Sequence, residues 1–202
     1  MIGIKKLNNK KNILQLIDIY ENKDSYYIIM ELCDCDLSQY LNENYPLNIK
    51  LILNVMKQII IGYINLFEIN FLHLDLKLQN ILVKYNNNND KNDITIKISD
   101  FGLVHQYDIR TFLNNIIGTR IYMSPEIIEK KEYSYKADIY SIGLIAYKLA
   151  TKKYPFKISK DDEYCLKEKL NINFDKIKEN IKNDILFDFI KGCLESNVCN
   201  RL

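Results

Sequence analysis

Residues 13–19 (ILQLIDI) and 26–32 (YYIIMEL) are apolar, β-favouring runs separated by the polar stretch Glu21-Asn22-Lys23-Asp24. That alternation of runs and turn residues predicts an antiparallel hairpin. Residues 1–7 ahead of it fit the tail of a helix. Between positions 48 and 70, Ile52, Val55, Met56, Ile59, Ile60, Tyr63 and Phe67 recur at helical spacing. This predicts a long amphipathic helix with one buried stripe. Short apolar runs at 81–85 and 94–99 follow, joined by the Asn86–Asn89 tract, a polar loop without core residues. Residues 100–126 carry no periodicity and predict a long loop, a feature that inside a compact domain usually serves function. Residues 137–150 (ADIYSIGLIAYKLA) predict an apolar helix. Residues 184–194 predict another, with Ile185, Phe189 and Ile190 on one side.

Composition narrows the classes. The 202 residues suit one globular domain and can bury a sizeable core. The 28 basic and 26 acidic side chains leave a formal charge of +2, which argues against a dedicated nucleic-acid binder. The five cysteines are odd in number and irregular in spacing, with no pair of CxxC units. They read as reduced thiols of a cytoplasmic protein rather than a zinc site. The N-terminus has no signal-peptide pattern. The most apolar windows, around 59–64 and 139–149, are interrupted by polar residues and are expected to form no membrane span.

The chemistry concentrates in His73-Leu74-Asp75-Leu76-Lys77-Leu78-Gln79-Asn80 and in Asp100-Phe101-Gly102. Transfer of a phosphoryl group requires one carboxylate to orient the acceptor hydroxyl and take its proton, and oxygen ligands for the cations that neutralise the phosphates. Asp75, Asn80 and Asp100 are groups of those kinds. Taken singly, the Asp-Phe-Gly tripeptide fits a surface turn and the His-x-Asp a core pair. Their order and spacing are far more specific.

HLDLKLQN resembles the HRDLKxxN catalytic loop of protein kinases, and DFG resembles their metal-binding motif. GTRIYMSPE, from Gly118 to Glu126, resembles the end of the kinase activation segment. DIYSIG from Asp138 resembles the DxWSxG helix start, and Asn200-Arg201-Leu202 the late arginine motif. Upstream, LNNKKNILQL resembles the junction LxHPNIxxL, and Ile29-Met30-Glu31-Leu32 the interlobe hinge. The matches run the whole chain in the correct order. The resemblance implies an α+β, protein-kinase-like fold: residues 1–32 a remnant of the β-containing N-lobe, residues 33–202 a largely helical C-lobe.

The resemblance also implies roles. Asp75 is the expected catalytic base, Lys77 the contact to the transferred phosphate, and Thr119 the residue that positions Asp75. Asn80 and Asp100 are the expected magnesium ligands. Met30 matches the residue gating the adenine pocket, Glu31 and Cys33 the backbone partners of adenine, and Leu82 the floor beneath it. Ile4, Leu16, His73 and Phe101 match the stack that couples the lobes, positions that plain core packing would fill equally well. Asp138 matches a buried acceptor for the catalytic-loop backbone. Glu126 and Arg201 match a buried ion pair, here expected to be more exposed because Arg201 is next to the last residue. The implied cofactors are ATP and Mg2+, and the implied partners a protein substrate and a regulatory protein. Lys77 and Thr119 follow the Ser/Thr-type pattern. The stretch from Tyr133 to Phe156, with YMSPE before it, is similar to autophagy-initiating and related cytosolic Ser/Thr kinases.

Two departures qualify this. No GxGxxG occurs, and by the LNNKKNIL alignment the helix glutamate of the family falls just before Met1; Lys5 and Lys6 align with the helix tail and are not the strand lysine. The expectation is an incomplete translation of a longer gene, with a hairpin left with open edges and exposed apolar surface. Loss of one preorganised electrostatic group typically slows transfer about 10²–10³-fold. A pseudokinase that binds partners without transfer therefore stands as the alternative. A small-molecule phosphotransferase is a third reading, opposed by the peptide-positioning look of GTRIYMSPE. The second departure is Leu74, which stands where most relatives carry the arginine that binds a phosphorylated loop. Leucine has no donor for a phosphate. Thr111→Glu is therefore expected to leave the phosphotransfer rate within a few-fold in a kinase assay; a many-fold rise would refute this.

Overall fold

The computed structural model describes residues 7–87, 90–103, 105–106, 118–159 and 161–202. Ile4 and Thr111 lie outside these described residues, as does the expected helix tail except for Leu7. The hairpin forms as β1 (Leu16–Glu21) and β2 (Tyr26–Met30), pairing Ile19 with Ile28 and Tyr20 with Tyr27. Asn22 makes the turn: its side-chain oxygen accepts from the amides of Asp24 (3.0 Å) and Ser25 (2.8 Å), the Asx geometry that favours Asn at such positions. The first run enters the strand later than expected, because Ile13 instead bridges Ile98. All five residues of β2 are exposed, so the hairpin presents apolar surface as its sequence implied.

The helical remainder begins after β3 (Cys35–Asp36). α1 (Leu37–Asn44) is capped by the Asp36 carboxylate, which accepts from the Gln39 amide at 2.8 Å. α2 (Ile49–Phe67) buries Ile52, Val55, Met56, Ile59 and Tyr63 of the expected stripe, while Ile60 is half-buried and Phe67, at the helix end, is exposed. By length and composition alone α2 is long and apolar enough to cross a membrane, as the window at 59–64 by itself was not. Here its stripe packs into the core against other elements. β4 (Phe71–Leu72) pairs with β7 (His105–Gln106). β5 (Ile81–Tyr85) and β6 (Ile94–Ile98) pair antiparallel, Ile81 opposite Ile98, with β3 on the outer side of β5. The expected loop 100–126 contains β7 and the start of a short helix, α3 (Pro125–Ile128), among its described residues.

α4 (Lys136–Thr151) forms the axis of the core, buried on nearly every side from Ala137 to Leu149. α5 (Asp162–Leu170), α6 (Phe174–Asn180) and α7 (Asp184–Leu194) follow, each begun by an Asp or Asn side chain that accepts amide hydrogens of the first turn. Gly143 lets α4 and α7 touch: a Cβ there would lie 2.5 Å from the Cβ of Cys193.

The Glu126–Arg201 pair is fully buried, contrary to the expectation of exposure at the chain end. The guanidinium meets the carboxylate with both nitrogens, at 2.6 and 3.0 Å, and also donates to the carbonyls of Lys136 and Glu195. The reason is that the end folds inward: the Leu202 amide bonds to the Gly192 carbonyl, Lys136 bonds to the Arg201 carbonyl, and the Tyr140 ring covers the guanidinium at 5.1 Å. Arg201→Met strands the Glu126 charge and is expected to cost about 3–5 kcal/mol in urea unfolding. Lys10→Ala, at the exposed pair with Glu68, is expected to cost less than about 1 kcal/mol.

Candidate active site

The site is built outward from Asp138, in the first turn of α4 and 1% exposed. Burial pushes its carboxyl up from the usual range, while the surrounding hydrogen-bond donors oppose that rise. Those donors are the amides of Leu74 and His73, each at 2.8 Å, and the Tyr63 hydroxyl at 3.1 Å. Burial also raises the Tyr63 phenol well above its ordinary value, so it stays a donor. α4 thereby grips the chain just before Asp75. The grip holds Leu74 at φ 64, a left-handed conformation that costs a leucine about 1–2 kcal/mol. The Leu74 side chain offsets that cost: it is buried in an apolar cluster with Leu72, Met123, Ile127, Tyr133 and Ala137. Leucine therefore fills space at this position.

His73 ties the same loop to the end of β6. Its Nδ1 accepts from the Asp75 amide at 3.3 Å and its Nε2 lies 2.9 Å from the Ser99 carbonyl. One neutral tautomer, with the proton on Nε2, satisfies both contacts. The His73 ring packs beside Phe101, centroids 5.9 Å apart, and Leu16 is also buried.

Asp75 is 7% exposed and both of its oxygens are engaged. Oδ1 accepts from the Thr119 amide (2.8 Å) and hydroxyl (2.6 Å). Oδ2 accepts from Lys77 Nζ (2.6 Å) and Asn80 Nδ2 (3.0 Å). Lys77 also donates to the Thr119 hydroxyl at 2.8 Å. Burial works to raise the Asp75 carboxyl, but the hydrogen bonds from Lys77 and Thr119 outweigh it and hold the group below the usual carboxylate range. It is an ionised carboxylate at neutral pH. Thr119 reaches it because Gly118 passes tightly beneath: its φ is +104, and a Cβ there would fall 2.2 Å from the Leu74 carbonyl.

Asn80 donates both amide hydrogens to Asp75, one to the carbonyl at 2.9 Å, leaving its oxygen to accept or ligate. Opposite it, Ser99 bonds to the Asn80 carbonyl through both its amide (2.9 Å) and its hydroxyl (3.0 Å). The β5–β6 register thus sets Asp100 one residue beyond the partner of Asn80. Asp100 is exposed at φ 59, and the one hydrogen bond described for its carboxylate is a long contact from the Gly102 amide, 3.4 Å.

The positions expected at the hinge and adenine pocket fall at the end of β2, in the segment after it and in β5. Met30 ends β2 and is 44% exposed. The Glu31 amide donates to the Gln15 carbonyl, and its carboxylate accepts from the Gln15 amide (2.9 Å) and meets Lys97 at 2.7 Å. Cys33 is half-buried, with burial pushing its thiol up. Leu82 sits in β5 opposite Lys97. Residues that the sequence did not flag are Tyr63, indistinguishable from its apolar stripe, and Ser99, whose only signal is a polar residue ending an apolar strand.

Comparison with known proteins identifies the family. Residues 2–202 match the protein kinase domain. The chain belongs to the protein kinase family. This kinase chain is 35% identical, over 78% of its length, to a probable serine/threonine-protein kinase of Encephalitozoon cuniculi. It is 33% identical over 77% of its length to serine/threonine-protein kinase ATG1b of Arabidopsis thaliana, and 34% over 82% to human serine/threonine-protein kinase ULK1. The aligned parts make up 28%, 21% and 16% of those proteins, so the kinase chain spans under a third of each.

The kinase loop at 73–75 depends on Asp138 as a charged acceptor. Asp138→Asn turns one acceptor oxygen into a donor facing a backbone amide, and is expected to destabilise by about 2–3 kcal/mol in thermal or urea unfolding. Gly118→Ala is expected to detach Thr119 from Asp75, visible as faster hydrogen exchange of the Thr119 amide.

Proposed function

We propose that this chain carries the machinery of a protein Ser/Thr kinase, transferring the γ-phosphate of ATP to a serine or threonine hydroxyl of a protein. The observation that carries this reading is the junction of Asp75, Lys77 and Thr119, one carboxylate shared by an ammonium and a hydroxyl within 2.6–2.8 Å. An ionised, oriented carboxylate is what an acceptor hydroxyl needs: its oxygens align the O–H and receive the proton as the new P–O bond forms and the bond to ADP breaks. Lys77, already beside Asp75, supplies positive charge to the phosphoryl group in flight. Thr119 keeps the carboxylate from rotating away.

The remaining assignments rest on donor chemistry. The Asn80 side-chain oxygen and the exposed Asp100 carboxylate suit Mg2+, a hard cation that is usually held by one or two protein oxygens together with phosphates and water. Among the described residues no cluster of three His, Cys, Asp or Glu side chains offers an all-protein metal site, which fits an ion brought in with its nucleotide. When bound, Mg2+ neutralises charge on the phosphates. The Glu31 amide is committed to Gln15, which leaves the Glu31 carbonyl and the Cys33 amide to read the adenine edge. Met30 closes the back of that slot and Leu82 forms its floor.

The exposed apolar residues of β2 favour a second reading, in which the same fold serves as a protein-binding module. One assay separates the two. The purified chain is incubated with Mg2+, labelled ATP and a serine-containing protein. Asp75→Asn is expected to lower transfer by about 10²–10⁴-fold with the fold intact by circular dichroism. Transfer that survives the substitution would remove Asp75 from the reaction, and a wild-type chain with no transfer would favour the binding module.

A further inference from the structure

α5 is attached to the protein in an unusual way. Among its described residues, the buried one is a lysine: Lys169 is 1% exposed, while its neighbours on the helix are exposed or half-buried. The other long side chains of this polar helix remain at least partly in solvent. An ammonium group taken out of water costs several kcal/mol unless its hydrogens find acceptors. Plain packing would be served better by an apolar residue of similar volume.

The acceptors are specific. Lys169 Nζ donates to the carbonyls of Arg120 and Ile121, each at 3.0 Å, and to that of Met123. The intervening carbonyl, Tyr122, accepts from the Ser141 hydroxyl on α4 at 2.8 Å. Four consecutive carbonyls are thus turned inward and held, three of them by one ammonium. The Tyr140 and Phe156 rings face Nζ at 5.6 and 5.2 Å, adding cation–aromatic attraction. Burial holds the amine down to about 7, against the opposing pull of Cys165 and Glu126. The three carbonyls work the other way, since only the charged form has a hydrogen for each of them, and an apolar side chain here would be cheaper.

The held segment starts at Thr119, which is fastened at its other end to Asp75. The turn is closed by the Tyr122 and Met123 amides bonding to the Thr119 carbonyl. The stretch 119–123 therefore runs between two anchors, the candidate base and Lys169. With its carbonyls facing inward, the side chains of Arg120 and Ile121 remain at the surface beside the site, where they are exposed and half-buried.

We propose that Lys169 is a positioning residue for the phosphate acceptor: by gathering the carbonyls of Arg120, Ile121 and Met123 it sets the shape of the segment on which an acceptor peptide lies beside Asp75. The inference rests on the kinase reading for the peptide, but the tether itself is independent of catalysis.

The experiment uses the full chain with Lys169→Met and reads two quantities. Hydrogen exchange of the amides of residues 119–124 is expected to rise about ten-fold, with that of α7 unchanged, since local opening follows local contacts. In steady-state kinetics with a serine peptide, KM for the peptide is expected to rise about ten-fold, with KM for ATP within two-fold of wild type. A merely structural lysine would lower the melting temperature and raise exchange throughout without moving the peptide KM. Should Lys169→Met not fold, Lys169→Gln carries the test: its amide donates to at most two carbonyls, and the same split is expected at about three-fold. Exchange that is unchanged at 119–124, or raised equally everywhere, overturns the proposal, as does a wild-type peptide KM in a folded variant. If the wild-type chain transfers no phosphate, the kinase reading fails and the exchange measurement alone decides the tether.

Discussion

The carboxylate of Asp138 is the constraint from which the rest of the site follows. A charge 1% exposed must find donors, and here it takes them from the backbone of His73 and Leu74. That choice bends Leu74 into a left-handed conformation and aims Asp75 toward Thr119 and Lys77. The loop is shaped by a helix more than sixty positions away in sequence, not by its own preferences. The strain at Leu74 is tolerated because its side chain has an apolar cluster to fill. The residue that departs from the usual family pattern is thus the one whose burial helps to hold the loop in place.

A second theme is the use of buried cations as staples. Arg201 and Lys169 both approach the ring of Tyr140, at 5.1 and 5.6 Å from its centre. Each satisfies carbonyls, Arg201 those of Lys136 and Glu195 beside its carboxylate partner Glu126, and Lys169 those of Arg120, Ile121 and Met123. Apolar packing fixes positions only loosely, whereas hydrogen bonds to several carbonyls at once fix orientation. The end of the chain and the segment beside Asp75 are both held in this directional way, around the same α4 axis.

The elements visible in the sequence were those with a clean period. The stripe of α2 and the apolar run of α4 follow from burial of a helix side, and the β1–β2 turn follows from Asn22; α7 was legible as a helix, but its buried face is Leu186, Ile190 and Cys193, with Phe189 half-buried and Ile185 exposed, because packing against α4 at Gly143 and Cys193 sets its rotation. α5 escaped because it has no apolar stripe; the residue it buries is a lysine, which in sequence reads as a solvated charge. α1 and α6 are short, and their capping residues outweigh any periodicity. Tyr63 was legible as a core residue but not as a hydrogen-bond donor, since its hydroxyl matters only once Asp138 lies beside it.

The amino-acid sequence by itself determined which groups of the site exist, and their order: Asp75, Lys77 and Asn80 within one short loop, then Asp100 and Thr119. Spacing of that kind is local, and local spacing is written directly in the chain. Only the tertiary structure decided which of them meet, how Leu74 is used, that Arg201 is buried at the chain end, and that Lys169 holds the segment after Thr119. Those contacts join residues tens of positions apart, and their formation depends on distances of about 3 Å that no pattern of residue types specifies.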